Sequence, residues 1–277
     1  MKLRRGRAAL GYMLAGAAML LFFLYLRFPS DAAKNYLKAF ATAHFPNLMI
    51  VMDAVEPSVP PGIAIRNLTG AFRGRPEATI QADRLVITPG WLSLLRGRFS
   101  FLVKATGYGG KISGKSEFLR TFSVKGPYLA TAEFDGIRLD KCLWLQNFFP
   151  HQLFGTLKGS FSFNGTPGTL KTSSGKLDAV ITNGGFQLSE VLWGFDRISF
   201  SRTDLKVELK NGALRISGLT LTGDKLHITL KGNILLADDF KMSRMDLSGS
   251  AEIQGLGGRR IPITIGGEFG NPTIKTM

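Results

Sequence analysis

The sequence predicts a mainly β protein: one N-terminal transmembrane helix, then a long bent antiparallel sheet, open as a groove or sandwich, with two or three short helices. Three observations predict it. An uncharged apolar run opens the chain, most of the remainder alternates apolar and polar residues with period two, and glycine stands at 33 of 277 residues with no collagen period. Period two is the mark of a strand with one buried face, and scattered glycine marks the turns between strands. A charged fraction of 20% and a hydrophobic fraction of 44% exclude a disordered polyelectrolyte.

The apolar run covers Ala8 to Leu26 and carries no charge. At ~1.5 Å per residue it spans roughly 28 Å, close to the hydrocarbon thickness of a bilayer. Lys2, Arg4, Arg5 and Arg7 precede it, which keeps the N-terminus cytoplasmic and exports the rest. A cleaved signal peptide is the alternative. The run is longer than a usual signal core, and Phe23-Leu24-Tyr25-Leu26-Arg27-Phe28 offers no small-residue cleavage site. The expectation is therefore a single-pass membrane protein with its bulk outside, in a bacterium the periplasm.

Ser30 and Asp31 are N-cap candidates for a juxtamembrane helix that carries Ala33, Tyr36, Leu37 and Phe40 and stops before Pro46. Pro57, Pro60, Pro61 and Gly62 predict a rigid corner before a strand from Ile63. A short helix is expected over Trp91 to Leu95, and another over Asp140 to Phe149 with Asp140 as its cap.

Strand phase then assigns one apolar face. Phe99, Phe101 and Val103 share a phase, as do Leu157, Phe161 and Phe163, with Lys158, Ser160 and Ser162 on the other side. Leu205, Val207 and Leu209 alternate with Lys206, Glu208 and Lys210 and run into Asn211-Gly212, the strongest two-residue hairpin turn. The phase slips by one residue at Ser217-Gly218, which predicts a bulge. Leu226, Ile228 and Leu230 resume the apolar face, and Ile261, Ile263 and Ile265 close the chain. The organisation expected is a tail and anchor over residues 1–28, a β-rich half over 29–135 and a second over 136–277. The twelve residues Phe99, Phe101, Val103, Leu157, Phe161, Phe163, Leu205, Val207, Leu209, Leu226, Ile228 and Leu230 form the candidate core or groove face. Few helices are available to cover that face. The sheet either folds on itself around a filled core or curls into a trough, and alternation alone does not separate the two. An acyl chain is the natural occupant of a trough tethered to a membrane, since each buried CH₂ is worth ~0.8 kcal/mol.

The residue types that carry catalysis are sparse. His44, His151 and His227 lie far apart, and Cys142 is the single cysteine, so no disulfide framework or metal cluster is expected. Gly255-Leu256-Gly257-Gly258 precedes a strand rather than a helix and so lacks what a phosphate loop needs. Asp238-Asp239 reads as a turn. The net charge of +15 suits anionic headgroups or an acidic partner, while the dispersal of the basic residues argues against nucleic acid. No enzyme, cofactor or metal is expected.

Several phrases resemble known families. Gly155-Thr156-Leu157-Lys158-Gly159, Gly165-Thr166-Pro167 and Leu209-Lys210-Asn211-Gly212-Ala213-Leu214-Arg215-Ile216 resemble AsmA-like envelope proteins. Phe28-Pro29-Ser30, Pro57-Ser58-Val59-Pro60-Pro61-Gly62, Leu94-Leu95-Arg96-Gly97 and Tyr108-Gly109-Gly110-Lys111-Ile112 resemble type II secretion system protein N of the delta-proteobacterial kind. The resemblance implies a bent sheet related to lipid-carrying proteins. It also implies a non-enzymatic inner-membrane component of type II secretion, with other inner-membrane proteins of that system as partners. The alternative it implies is a lipid-binding or lipid-transfer module with phospholipid acyl chains in its groove.

Overall fold

The computed structural model describes residues 12–13, 15–16, 19–20, 22–23, 25–73, 75–119, 126–146, 153–166, 169–192, 195–224, 226–253 and 260–276. Much of the expected span over residues 8–26 lies outside these. Its described members, such as Met19, Phe22 and Leu26, are helical and exposed. Among the described residues no helix is long and apolar enough to cross a membrane.

Fifteen strands form one antiparallel sheet. Helix α1 (Ser30–His44) leads into β1 (Leu48–Val51) and β2 (Ala54–Ser58), two short strands lying end to end along one edge of β3 (Gly62–Phe72). The order continues through β4 (Arg75–Pro89), helix α2 (Trp91–Leu94), β5 (Phe99–Gly107), β6 (Gly110–Phe118) and β7 (Tyr128–Arg138). A 3-10 turn (Leu139–Lys141) and helix α3 (Leu143–Gln146) precede β8 (Leu153–Gly165), β9 (Ser174–Leu192) and β10 (Phe195–Lys210). Then come β11 (Ala213–Thr222), β12 (Leu226–Leu235), β13 (Arg244–Ile253), β14 (Arg260–Glu268) and β15 (Asn271–Thr276). From β3 onward each strand pairs with the next in sequence, and β1 and β15 are not joined. The sheet is an open meander, neither closed into a barrel nor folded into a sandwich. Strands β7 and β8 pair from Tyr128 opposite Gly165 to Arg138 opposite Thr156, with an irregularity between Phe134 and Ile137.

The expected turns stand where the residues place them. Asn211 (φ 53°) and Gly212 (φ 73°) make the β10–β11 turn with both central residues left-handed, the conformation that Asn-Gly favours. The slip at Ser217-Gly218 is a bulge, Ile216 facing Gly232 while Leu219 faces Leu230. Asp239 turns the chain between β12 and β13, its carboxylate accepting from the Lys241 N–H at 3.1 Å. Three expectations need correction. Helix α1 begins at Ser30, so Ser30 and Asp31 lie within its first turn, and the residue before it, Pro29, brings no side-chain cap. Asp140 sits inside the 3-10 turn, bound to Arg138 at 2.7 Å, and the described helix starts after it, at Leu143–Gln146, while residues 147–149 lie outside the described residues. The last isoleucine run does not end the chain, because β15 follows as an exposed edge strand. Its Pro272 and lone Ile274 give no alternation to read, which is how an edge avoids offering itself to another chain.

The apolar face is covered at one end by α1. Phe28, Ala33 and Leu37 pack on Met52, Val55 and Ile65, with Val55 wholly buried. Lys34 ties the helix down through its Nζ, which donates to the Asp53 carbonyl at 3.1 Å. The 3-10 turn and α3 cap the far end of the β5–β6 hairpin and lean on β4, burying Leu139 and Cys142. Tyr108 in that hairpin turn accepts the Gln81 N–H at 2.7 Å, and its carbonyl accepts from Arg138.

Candidate functional site

Strand register brings all twelve sequence-selected residues onto one face. One row crosses the sheet from Val103 through Gly114, Ala132, Phe161, Leu177 and Val207 to Ile216. The next contains Phe101, Phe163 and Leu209, and a third contains Leu205, Leu219 and Leu230. Leu157 and Ile228 fall in a fourth, joined through Ile181, Thr203 and Leu221. Opposed residues of an antiparallel pair point the same way, so these rows are one continuous surface.

That surface is filled in one half and open in the middle. Over β10–β14 the curl of the sheet brings its own side chains together. Ile198, Phe200, Leu221, Leu226, Ala251, Ile253 and Ile263 form one buried cluster, and Ile216, Ile234 and Leu247 form another. Leu226 is 5% exposed and Leu230 7%, while Leu205, Val207 and Ile228 pack against these clusters. Over β5–β9 the same phase is half-buried at Phe101, Val103, Leu157 and Phe163, and Phe99 and Phe161 are 41% and 39% exposed. No described helix or second sheet lies over these residues. Their partial shelter comes from the side chains beside them on the same face, and this uncovered apolar stretch is the candidate trough.

Bulges and small residues mark this stretch. Gly155 (φ 133°) and Asn183 (φ 49°) interrupt β8 and β9 side by side, and the β9–β10 ladder skips the pair at Asn183. Bulges there bend the strands and sharpen their twist. Gly114, Ala130, Ala132, Gly159 and Ala179 line the trough floor. A Cβ on Gly159 would lie 2.8 Å from Phe134 Cε2 and closer still to the Asp178 carbonyl, so only glycine lets Phe134 lie across it.

One rim is aromatic. Ring centroids lie 6.1 Å apart for Phe101 and Phe118, 6.2 Å for Phe118 and Tyr128, 5.4 Å for Tyr128 and Phe163, and 6.5 Å for Phe163 and Phe161. This ladder crosses β5 to β8. Sequence reading missed Phe118, which ends β6, and Tyr128, which opens β7; the nearest residues in their phase are only Ser116, Gly114, Ala130 and Ala132. Pairing each with its known neighbour across the hairpin was the signal available.

The opposite face is polar and paired. Lys158 meets Asp135, Lys176 meets Glu208, and Arg202 meets Asp204 at 2.7 Å, all well exposed. Two open depressions of about 600 and 490 Å³ lie over β6–β10, lined mainly by residues of this polar phase such as Lys115, Glu117, Lys176, Glu208, Lys158 and Asp178. Their charges are mostly satisfied by one another in high dielectric, where each pair is worth little. The trough is the apolar site.

Among the described residues the types able to do chemistry are not brought together. His44 Nδ1 lies 3.0 Å from the Phe40 carbonyl, its ring stacked on Phe40, and exposed His227 Nδ1 lies 3.4 Å from Thr222 Oγ1. His151 and Gly255 to Gly258 lie outside the described residues. Cys142 Sγ donates to the Arg138 carbonyl at 3.4 Å, and burial pushes its thiol pKa up to about 11, the reverse of a nucleophile's environment. Among the described residues no group of three or more His, Cys, Asp and Glu side chains stands where it could hold a metal ion. No protein family, no curated protein and no solved structure matches this chain.

Proposed function

We propose that this protein is a non-enzymatic, inner-membrane-anchored periplasmic protein whose open trough holds lipid acyl chains. The observation that carries the reading is the unevenness of the apolar face: buried at both flanks and left uncovered over β5–β9, with Phe99 and Phe161 about two-fifths exposed. Apolar surface of that extent in water calls for an occupant. The neighbouring bilayer supplies one, because the uncharged run Ala8 to Leu26 serves as the anchor. A flexible chain suits a long curved floor of small residues beside a ladder of rings. It needs no directed polar group, and the trough face offers few.

The wider setting is type II secretion, as an inner-membrane accessory. That setting is supported by the sequence phrasing around Pro57 to Gly62, Leu94 to Gly97 and Tyr108 to Ile112. Crosslinking in cells should recover inner-membrane proteins of the apparatus, and deleting the gene should lower export. Unchanged export with no such partner removes the setting and leaves the trough.

For the trough, the full chain is extracted, exchanged into a synthetic detergent, and its remaining phospholipid counted by mass spectrometry beside an Ala132→Trp variant. Ala132 lies on the floor between Gly114 and Phe161, so an indole there fills the space without touching the anchor. The wild type should retain phospholipid that the variant loses. Equal amounts on both would leave only lipid held around the anchor and sink the reading.

A further inference from the structure

One end of the sheet carries an exposed apolar tip. Val59, between β2 and β3, is 82% exposed, and from α2 and the residue after it Leu92 is 75% and Leu95 85% exposed. The two loops are tied together: Trp91 Nε1 donates to the Pro61 carbonyl at 3.2 Å, leaving the indole half exposed beside the leucines. Arg96 and Arg98 follow at once, and both are exposed. Folding alone does not leave three aliphatic side chains so bare on adjacent loops. An apolar tip collared by an aromatic ring and guanidinium groups is the pattern that partitions into a membrane interface, rings at the headgroup level and cations on phosphates.

Two features of the fold place this tip against a membrane. First, the N-terminal end of α1 points the same way. Its C-terminal end leads to Leu48, which faces Phe72 at the far end of β3, while Lys34 reaches Asp53, whose N–H bonds the Arg66 carbonyl midway along β3. Ser30 therefore lies toward Gly62, the end of β3 at which Val59 and Trp91 stand. Second, the aromatic rim of the trough is at this end as well. Pro89 faces Phe101 and Phe99 faces Phe118, which in turn faces Tyr128.

We infer that the Val59–Trp91–Leu92–Leu95 tip inserts into the surface of a bilayer containing anionic phospholipid and sets the aromatic rim of the trough against it. The inference rests on the anchored reading above and adds a second, independent membrane contact that fixes how the sheet stands. An anchor alone leaves the domain free to tilt; a wedge beside it does not.

The test uses the full chain, with Cys142→Ala removing the native thiol, reconstituted into vesicles of phosphatidylcholine and phosphatidylglycerol. A nitroxide is attached through Leu95→Cys or, as the control on the opposite end of the sheet, through exposed His227→Cys. Circular dichroism and melting temperature confirm that each variant is folded. Collision with oxygen, which concentrates in hydrocarbon, is compared with collision with a water-soluble nickel chelate. The label at position 95 should favour oxygen several-fold over the label at 227. It should become shallower when phosphatidylglycerol is omitted or when Arg96 and Arg98 are both changed to serine. If the chain floats with the vesicles and survives an alkaline wash while the label at 95 is as wet as that at 227, the tip is overturned and the anchor stands. If that label is immobilised only when membrane proteins are added, the tip binds protein and the bilayer proposal is overturned. If the chain does not float at all, both the anchor and the wedge fall.

Discussion

Truncating one side chain in the filled half of the sheet and one in the open middle should give costs in the reverse order of side-chain size. Leu226 is 5% exposed and enclosed by the cluster that includes Phe200, Ala251 and Ile253. Leu226→Ala removes its transfer free energy and leaves a cavity those neighbours cannot close, which costs about 3 kcal/mol. Phe161 is larger but 39% exposed, with no layer above it. Fully burying a phenylalanine is worth ~1.5–3 kcal/mol, and the sheltered share of that, with no cavity term, makes Phe161→Ala cost roughly 1–2 kcal/mol. The assay is hydrogen exchange read by peptide mass spectrometry under rising urea. It resolves segments, and a meander whose ladders join only neighbouring strands need not open as one unit. Leu226→Ala should accelerate exchange across β11–β14 strongly, and Phe161→Ala should affect β7–β9 mildly. Equal costs, or a larger one at Phe161, would mean that the middle of the sheet is packed, and the reasoning for a trough would fail.

Other expectations follow from single features. Thr203 Oγ1 is buried on the apolar face with no hydrogen-bond partner, so Thr203→Val should stabilise the chain by about 1 kcal/mol in urea unfolding, because an unpaired buried hydroxyl forfeits its hydration. Gly212→Ala places a side chain at φ 73° in the β10–β11 turn and should cost ~1–2 kcal/mol, whereas Gly218→Ala, with open space around its Cβ, should cost little. Burial holds the Cys142 thiol protonated toward about 11; its folded pKa is raised, so the stabilisation it reflects is present below the unfolded value and is lost as pH rises through 11. Iodoacetamide at pH 8 should therefore label Cys142 only when the chain is unfolded. The two hydrogen bonds from Arg202, at 2.8 and 2.7 Å, hold the Asp204 carboxyl below its usual range. Its contribution is present above the unfolded value and is lost as pH falls through the lower folded one. Carbon NMR should show Asp204 titrating at lower pH than in an Arg202→Gln variant.

Much of the fold was legible because its signals are local. Alternation fixes which side chains share a face, and Asn211-Gly212 fixes a register from which neighbouring strands inherit theirs. The slip at Ser217-Gly218 was visible for the same reason, since a one-residue change of phase is written in the chain itself. What alternation does not encode is curvature. Leu230 and Phe161 sit in identical apolar phases, yet one is buried and the other open. The difference comes from how far β10–β14 curl upon themselves, which joins Phe200 with Ile253 and Ile263 in one buried cluster. The helix expected from Asp140 starts later, at Leu143, because Asp140, Cys142, Leu143 and Leu145 satisfy a helical spacing as readily as a 3-10 turn followed by a helix. Strand β15 escaped notice because an exposed edge has no apolar face to announce it.

Light-driven crosslinking from two adjacent positions tests the central claim most directly. Phe161 faces the trough and Ser162 the polar side of the same strand, so a benzophenone amino acid at each samples opposite surfaces of one β8 in the full chain, in cells. The account predicts that the probe at 161 captures phospholipid and the probe at 162 does not. Capture from both positions, or from neither, would contradict it.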